Sequence, residues 1–240
     1  MKILLFLLVT LTLGTGVTYP QQKKTTNNFT LTGHISGKQT LPIWFRYPDG
    51  NGKIIQQKVT VKNNLFVIMG YTSSPANVEF SNDFEPNGRI IKNYFGDLFI
   101  GPGAITVLMT GDDLSSAKII GSMMQDDWNK LEQQKQPLYK VRDSLNKEMW
   151  KLSSAGNTPK NHEAHMLVGH KVNICDEQLK QADYKFIITH SNSYLSAYLT
   201  NYYYDWQKIK ADSAKIFYNT FTTPVKYSVS GRLLQKGLAK

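Results

Sequence analysis

The sequence predicts an α+β protein, with an N-terminal antiparallel β-sandwich over residues 29–121 and a C-terminal helical region over residues 122–240. Three observations predict it. Short apolar-alternating runs recur between Phe29 and Gly121, separated by turns rich in Gly, Pro, Asn and Asp, as in all-β domains. No helical crossover lies between these runs, so the strands should pair antiparallel. From Ser122 onward the apolar residues switch to a helical period. With 41% hydrophobic and 19% charged residues, the chain is globular rather than disordered. Its 240 residues suffice for one larger domain or two small ones.

The elements follow in order. Lys2, the apolar run Ile3 to Leu13 and the small residues Gly14 and Gly16 have the form of a secretory signal peptide, assigned to residues 1–18. The run is too short to span a bilayer, which needs roughly 20 apolar residues. No cysteine follows it for lipid attachment, and no second apolar segment is long enough to anchor the chain, so no transmembrane segment is expected after cleavage. Residues 19–28 read as a flexible N-terminal segment. FTLTGHI (Phe29 to Ile35) alternates as a half-buried strand does, and LPIWFRY (Leu41 to Tyr47) runs into the turn Pro48-Asp49-Gly50-Asn51-Gly52. IIQQKVTV and LFVIMG flank Asn63-Asn64 and predict a hairpin with a two-residue turn. ANVEF, DLFIG, AITVLM and AKIIG complete the strands, punctuated by Glu85-Pro86-Asn87-Gly88, Gly101-Pro102-Gly103 and Gly111-Asp112-Asp113.

Ser122 is positioned to cap a helix that starts SMMQDDWNKLEQQKQ, with acidic residues in its first turns. Pro137 should break or kink that helix before LYKVRDSLNKEMWKL resumes the period. Pro159 suits the first turn of the next helix, running to about His190. Two shorter helices are expected at YLSAYLTNYYYDW and around Ile209 to Tyr218, and Pro224 opens a final segment.

NHEAHMLVGHKVNIC, residues 161–175, carries three histidines and the chain's single cysteine. Val168, Val172, Cys175, Leu179, Ala182 and Phe186 recur four and three apart, which defines a buried stripe and makes Cys175 a packed thiol. On that wheel, with Val168 at zero, His165 falls near about 60°, His162 near about 120° and His170 near about 200°. Side chains so spread do not converge on one metal from one helix. His162-Glu163-Ala164-His165 also places its second histidine one residue too early for a zinc-peptidase motif. A two-histidine site would need completion by His34, His190 or a carboxylate. Asp112-Asp113 reads as a turn, Asp126-Asp127 as the acidic start of a helix, and Tyr198 and Tyr202 as packing residues. Tyr203, Tyr204 and Trp206 extend that aromatic group. No catalytic, cofactor-binding or metal-ligating residue is assigned, and no cofactor is expected.

FTLTGHISG (29–37), YPDGNGK (47–53), LFIGPGAITVLMTGDDLSSAKIIGS (98–122), FIITHSNSYLSAYL (186–199) and VKYSVSGRLL (225–234) together carry a resemblance. They resemble the uncharacterised N-terminal domain that precedes thioredoxin-like domains in exported thiol-disulfide oxidoreductases of Gram-negative bacteria. In that family a CxxC in the thioredoxin-like domain does the redox chemistry. This sequence has no CxxC. The resemblance therefore implies a periplasmic or secreted accessory or binding module of the envelope, whose partner is another envelope protein, a thioredoxin-like protein or its client. The alternative it leaves is a truncated or split thiol-disulfide oxidoreductase lacking its CxxC domain. A formal net charge of +10 invites nucleic acid as a partner, but export and the scattered lysines, with Lys23-Lys24 the only adjacent basic pair, argue against it.

Overall fold

The computed structural model describes residues 27–84, 90–156 and 158–239. The expected signal peptide, nearly all of the N-terminal segment, Lys23-Lys24 and the turn at Glu85-Pro86-Asn87-Gly88 lie outside the described residues. Eight strands come first: β1 (Phe29–Ser36), β2 (Ile43–Pro48), β3 (Ile54–Val59), β4 (Leu65–Gly70), β5 (Ala76–Phe84), β6 (Ile90–Ile100), β7 (Gly103–Thr110) and β8 (Asp113–Ile120). They form two four-stranded sheets, β4-β1-β7-β8 and β3-β2-β5-β6. Alternation along each strand turns Leu31, Ile35, Phe45, Phe80, Ile105 and Val107 into the shared core between them. Phe80 packs at a tilt on Phe45 within its own sheet at 4.9 Å and meets Phe66 of the other sheet at 6.2 Å.

Two expectations about pairing are corrected. Asn63 and Asn64 do make the two-residue turn, both with positive φ (52° and 61°) and with Lys62 and Leu65 exchanging backbone bonds. The strands beyond it separate, however: β3 pairs with β2 and β4 with β1, so the turn is a corner between sheets. The sandwich is antiparallel except at one ladder, β1–β7, which is parallel from Phe29↔Gly103 to Ser36↔Thr110. Parallel strands need a long crossover, usually a helix. Here the excursion through β2 to β6 supplies it.

The helical half comprises α1 (Met123–Ser154), α2 (Pro159–Thr189), α3 (Tyr194–Asp205), α4 (Ala211–Thr220), α5 (Thr223–Lys226) and α6 (Val229–Leu238). Ser122 accepts a hydrogen bond from the Gln125 N–H and Thr158 accepts one from that of Asn161, so both long helices start on a side-chain cap. Pro137 does not break α1, which passes through it without interruption. The proline removes one intrahelical bond, to the Gln133 carbonyl, while α2 packs alongside α1 and holds both sides of the gap in register. The final segment, opened by Pro224, folds into α5 and α6. Among the described residues, no helix is long and apolar enough to cross a membrane.

The helices lie on the outer face of the β3-β2-β5-β6 sheet. Leu98 and Ile100 point into the sandwich, and Phe99 between them points out, into a second core with Met124, Leu131, Phe186 and Leu195. Its ring meets Trp128 of α1 at 5.5 Å and Tyr198 of α3 at 5.0 Å. The buried Gln125 side chain accepts the Phe99 N–H at 2.8 Å. At the other end Arg232 of α6 donates to the Gly50 carbonyl and the Ser73 hydroxyl, at 2.9 and 3.0 Å.

Candidate functional site

The histidines do not gather. His162 is exposed and His165 half-buried beside a small hollow at the α1–α2 turn, and His170 is exposed on the far face of α2. His34 is exposed on β1, and His190 ends α2 with its ring stacked on Phe186 at 4.2 Å. Among the described residues, no group of three His, Cys, Asp or Glu side chains is placed to hold a metal ion. Cys175 is 3% exposed and its thiol donates to the Leu138 carbonyl at 3.2 Å, so the apolar stripe locates it correctly.

The acidic pairs are structural. Asp112 accepts from the Thr40 hydroxyl and from the backbone N–H groups of Thr40 and Leu41. Those bonds, the hydroxyl's foremost, lower its pKa. Asp113 accepts from the Ser115 N–H at 3.0 Å, which makes the turn. Asp126 sits in the first turn of α1, and Asp127 accepts from the Ser193 hydroxyl at 2.6 Å, which ties α1 to the cap of α3.

The aromatic group of α3 divides. Tyr204 donates to the Gly237 carbonyl at 3.1 Å, and Trp206 stays 68% exposed. Tyr198, Tyr202 and Tyr203 instead face a cleft of about 560 Å³ between α1, α2 and α3. Trp128, Lys135, Tyr139 and Arg142 of α1 line one side of it. Asn173, Asp176, Glu177, Lys180 and Asp183 of α2 line another. Lys208, just after α3, completes the rim.

Its floor is a closed polar network. The buried Lys135 ammonium donates to Asp183 at 2.9 Å and to Glu132 at 2.8 Å. The second oxygen of Asp183 accepts from the Tyr203 hydroxyl at 2.6 Å, and Glu132 accepts from Tyr139 at 3.3 Å. The ammonium also lies 5.7 Å from the Trp128 ring centre and 5.5 Å from that of Tyr139. Burial alone would lower the Lys135 pKa. The Asp183 charge and the bonds to both carboxylates outweigh it and raise the value above the ordinary one, so the side chain stays charged. Burial, then the bond to Asp183, raises the Tyr203 pKa and keeps its hydroxyl protonated.

Around this floor the rim is cationic and aromatic. Arg142 pairs through Nε with Asp176 at 2.9 Å and remains 40% exposed. Lys180 pairs with Glu177 at 3.2 Å. Lys208 lies over Tyr202 at 4.9 Å and donates to its hydroxyl at 3.3 Å. The described lining contains no Ser, Thr, Cys or His; it presents aromatic rings, carboxylates and N–H donors.

The periodicity of α2 did not mark Asp183 as functional, and nothing in α1 marked Lys135. The available signal was a carboxylate bordering the apolar stripe, between Leu179 and Phe186, because a charge at such a place needs a partner.

Residues 29–128 match the family described as Domain of unknown function (DUF4369). The match takes in the whole sandwich and the first turn and a half of α1, and it ends at Trp128, the residue that packs on Phe99. No curated protein and no solved structure matches the chain.

Proposed function

We propose that the protein is an exported, non-catalytic binding module of the bacterial envelope, with the α1–α2–α3 cleft as its ligand site. One observation carries the reading: a sizeable cleft whose polar floor is spent on itself and whose described lining contains no Ser, Thr, Cys or His. Lys135 is held charged and is no base, and Tyr203 is held neutral by burial and then by the carboxylate it bonds. The likeness of the sequence to domains that precede thioredoxin-like domains supports an envelope location and a redox protein or its client as partner.

The competing reading, a split thiol-disulfide oxidoreductase, puts its weight on Cys175. That thiol is buried and donates to the Leu138 carbonyl, which keeps it from meeting a partner disulfide. A thiol–disulfide exchange assay on the purified chain and on Cys175→Ser separates the two. No turnover above background in either protein is the expected result. Turnover that survives Cys175→Ser ends the binding-module reading, and turnover abolished by it hands the function to the thiol.

A further inference from the structure

We infer that the α1–α2–α3 cleft binds a carboxylated saccharide, its ring faces against Tyr139, Tyr202 and Trp128 and its acid group against Arg142 and Lys208. The inference rests on reading the chain as a binding module, and it adds the ligand's chemistry.

Three features select that chemistry. The first is the kind of wall. All three sides are helices, whose backbone N–H and C=O groups are committed to their own ladders. An extended peptide laid there would leave its own backbone groups unmatched, which costs affinity. A sugar's hydroxyls and carboxylate need only side-chain partners.

The second is the balance of donors and acceptors. Asp183 accepts one bond on each oxygen, from Lys135 and Tyr203, and Glu177 accepts from Lys180 and Gln181. Arg142 lies against Asp176 only at Nε, in an ion pair without a hydrogen bond, which leaves its two terminal nitrogens to grip a carboxylate in the planar two-pronged manner of guanidinium. Lys208 has a hydroxyl for a partner and no carboxylate. The exposed carboxylates Asp176 and Glu177 each already face a cation, so the groups left for an anionic ligand are the terminal nitrogens of Arg142 and the Lys208 ammonium. The excess of Lys and Arg over Asp and Glu, kept after the signal peptide is removed, attracts such a ligand from a distance.

The third is shape. Rigid flat side chains from α1 and α3 flank a space of about 560 Å³, within the range of small-ligand sites and roomy enough for a disaccharide. Tyr202 is 37% exposed and Lys208 already lies on its ring, so a stacked sugar would bring its carboxylate beside that ammonium.

The test is calorimetric titration of the full chain with digalacturonic acid, its dimethyl ester and an acidic tetrapeptide. Arg142→Gln, Lys208→Gln and Tyr202→Ala are titrated beside the parent, each first checked for an unchanged circular dichroism spectrum. Saturable binding of the diacid is expected, weakened about tenfold or more by esterification and by each substitution. Binding indifferent to the ester or to the substitutions places the sugar elsewhere and overturns the inference. A preference for the tetrapeptide overturns it in favour of a protein partner, as does absence of binding to the diacid at millimolar concentration. If the diacid fails while thiol exchange also stays absent, the ligand class falls and the binding-module reading stands.

Discussion

Asp183 sits where three helices meet, and each of its oxygens serves a different one: Lys135 of α1 and Tyr203 of α3. Removing Lys135 alone leaves Asp183, which is buried, and Glu132 without the cation that pairs them. Lys135→Met should therefore cost about 3–5 kcal/mol in urea unfolding, and adding Asp183→Leu should recover part of the loss. The pH dependence has a definite sign. Folded Lys135 binds its proton more tightly than the unfolded side chain, whose value is near 10.5. Its contribution is fully present below about pH 10.5 and is lost as the pH rises through the higher folded value. Tyr203, also raised, acts in the same direction. Urea midpoints measured from about pH 8 to about pH 12 should fall at the alkaline end, and fall less in Lys135→Met. Gly33 is constrained differently: the Phe66 ring lies across it, 1.9 Å from where a Cβ would be. Gly33→Ala should lower stability by about 1–3 kcal/mol, read as a drop in Tm of a few degrees. Cys175 could be placed from sequence because burial follows the helical period. Lys135 and Asp183 could not be paired, since they lie 48 positions apart and no period links them.

At the scale of elements, caps and turns were the legible features. Ser122, Thr158 with Pro159, and Asn63-Asn64 each do locally what their chemistry favours. Ser122→Ala should cost about 1 kcal/mol by thermal melting. What a turn connects is not local. Asn63-Asn64 makes the bend a hairpin needs, yet the partners of β3 and β4 are chosen by which strands can share the core. The continuity of α1 through Pro137 is likewise a tertiary outcome, an unfavourable residue tolerated because α2 packs beside it. Pro137 is exposed, so Pro137→Ala restores a backbone donor without disturbing packing and should stabilise the chain by about 1–3 kcal/mol. A lower Tm in that variant would show that the ring itself contributes to how the helices meet.

For the molecule as a whole, Phe99 is the rivet between sandwich and helices. The boundary at Ser122 is visible in the sequence as a change of period, whereas the joint across it is not, because Phe99 looks like one more strand residue between Leu98 and Ile100. Phe99→Ala should cost about 3–5 kcal/mol and split a single unfolding transition into two, seen by comparing helical and aromatic signals during a melt. The parallel ladder between β1 and β7 bears on the order of assembly. Ser36 and Thr110 touch across it although 74 residues separate them, so that loop must close before any contact rewards it. The α1–α2 pair meets across one short turn and has no such delay. A chain emerging from the ribosome therefore presents its first strand with one side unclaimed until the seventh has been made. During that interval the uncovered edge can recruit a foreign strand, a hazard of misassembly that closes only when β7 docks.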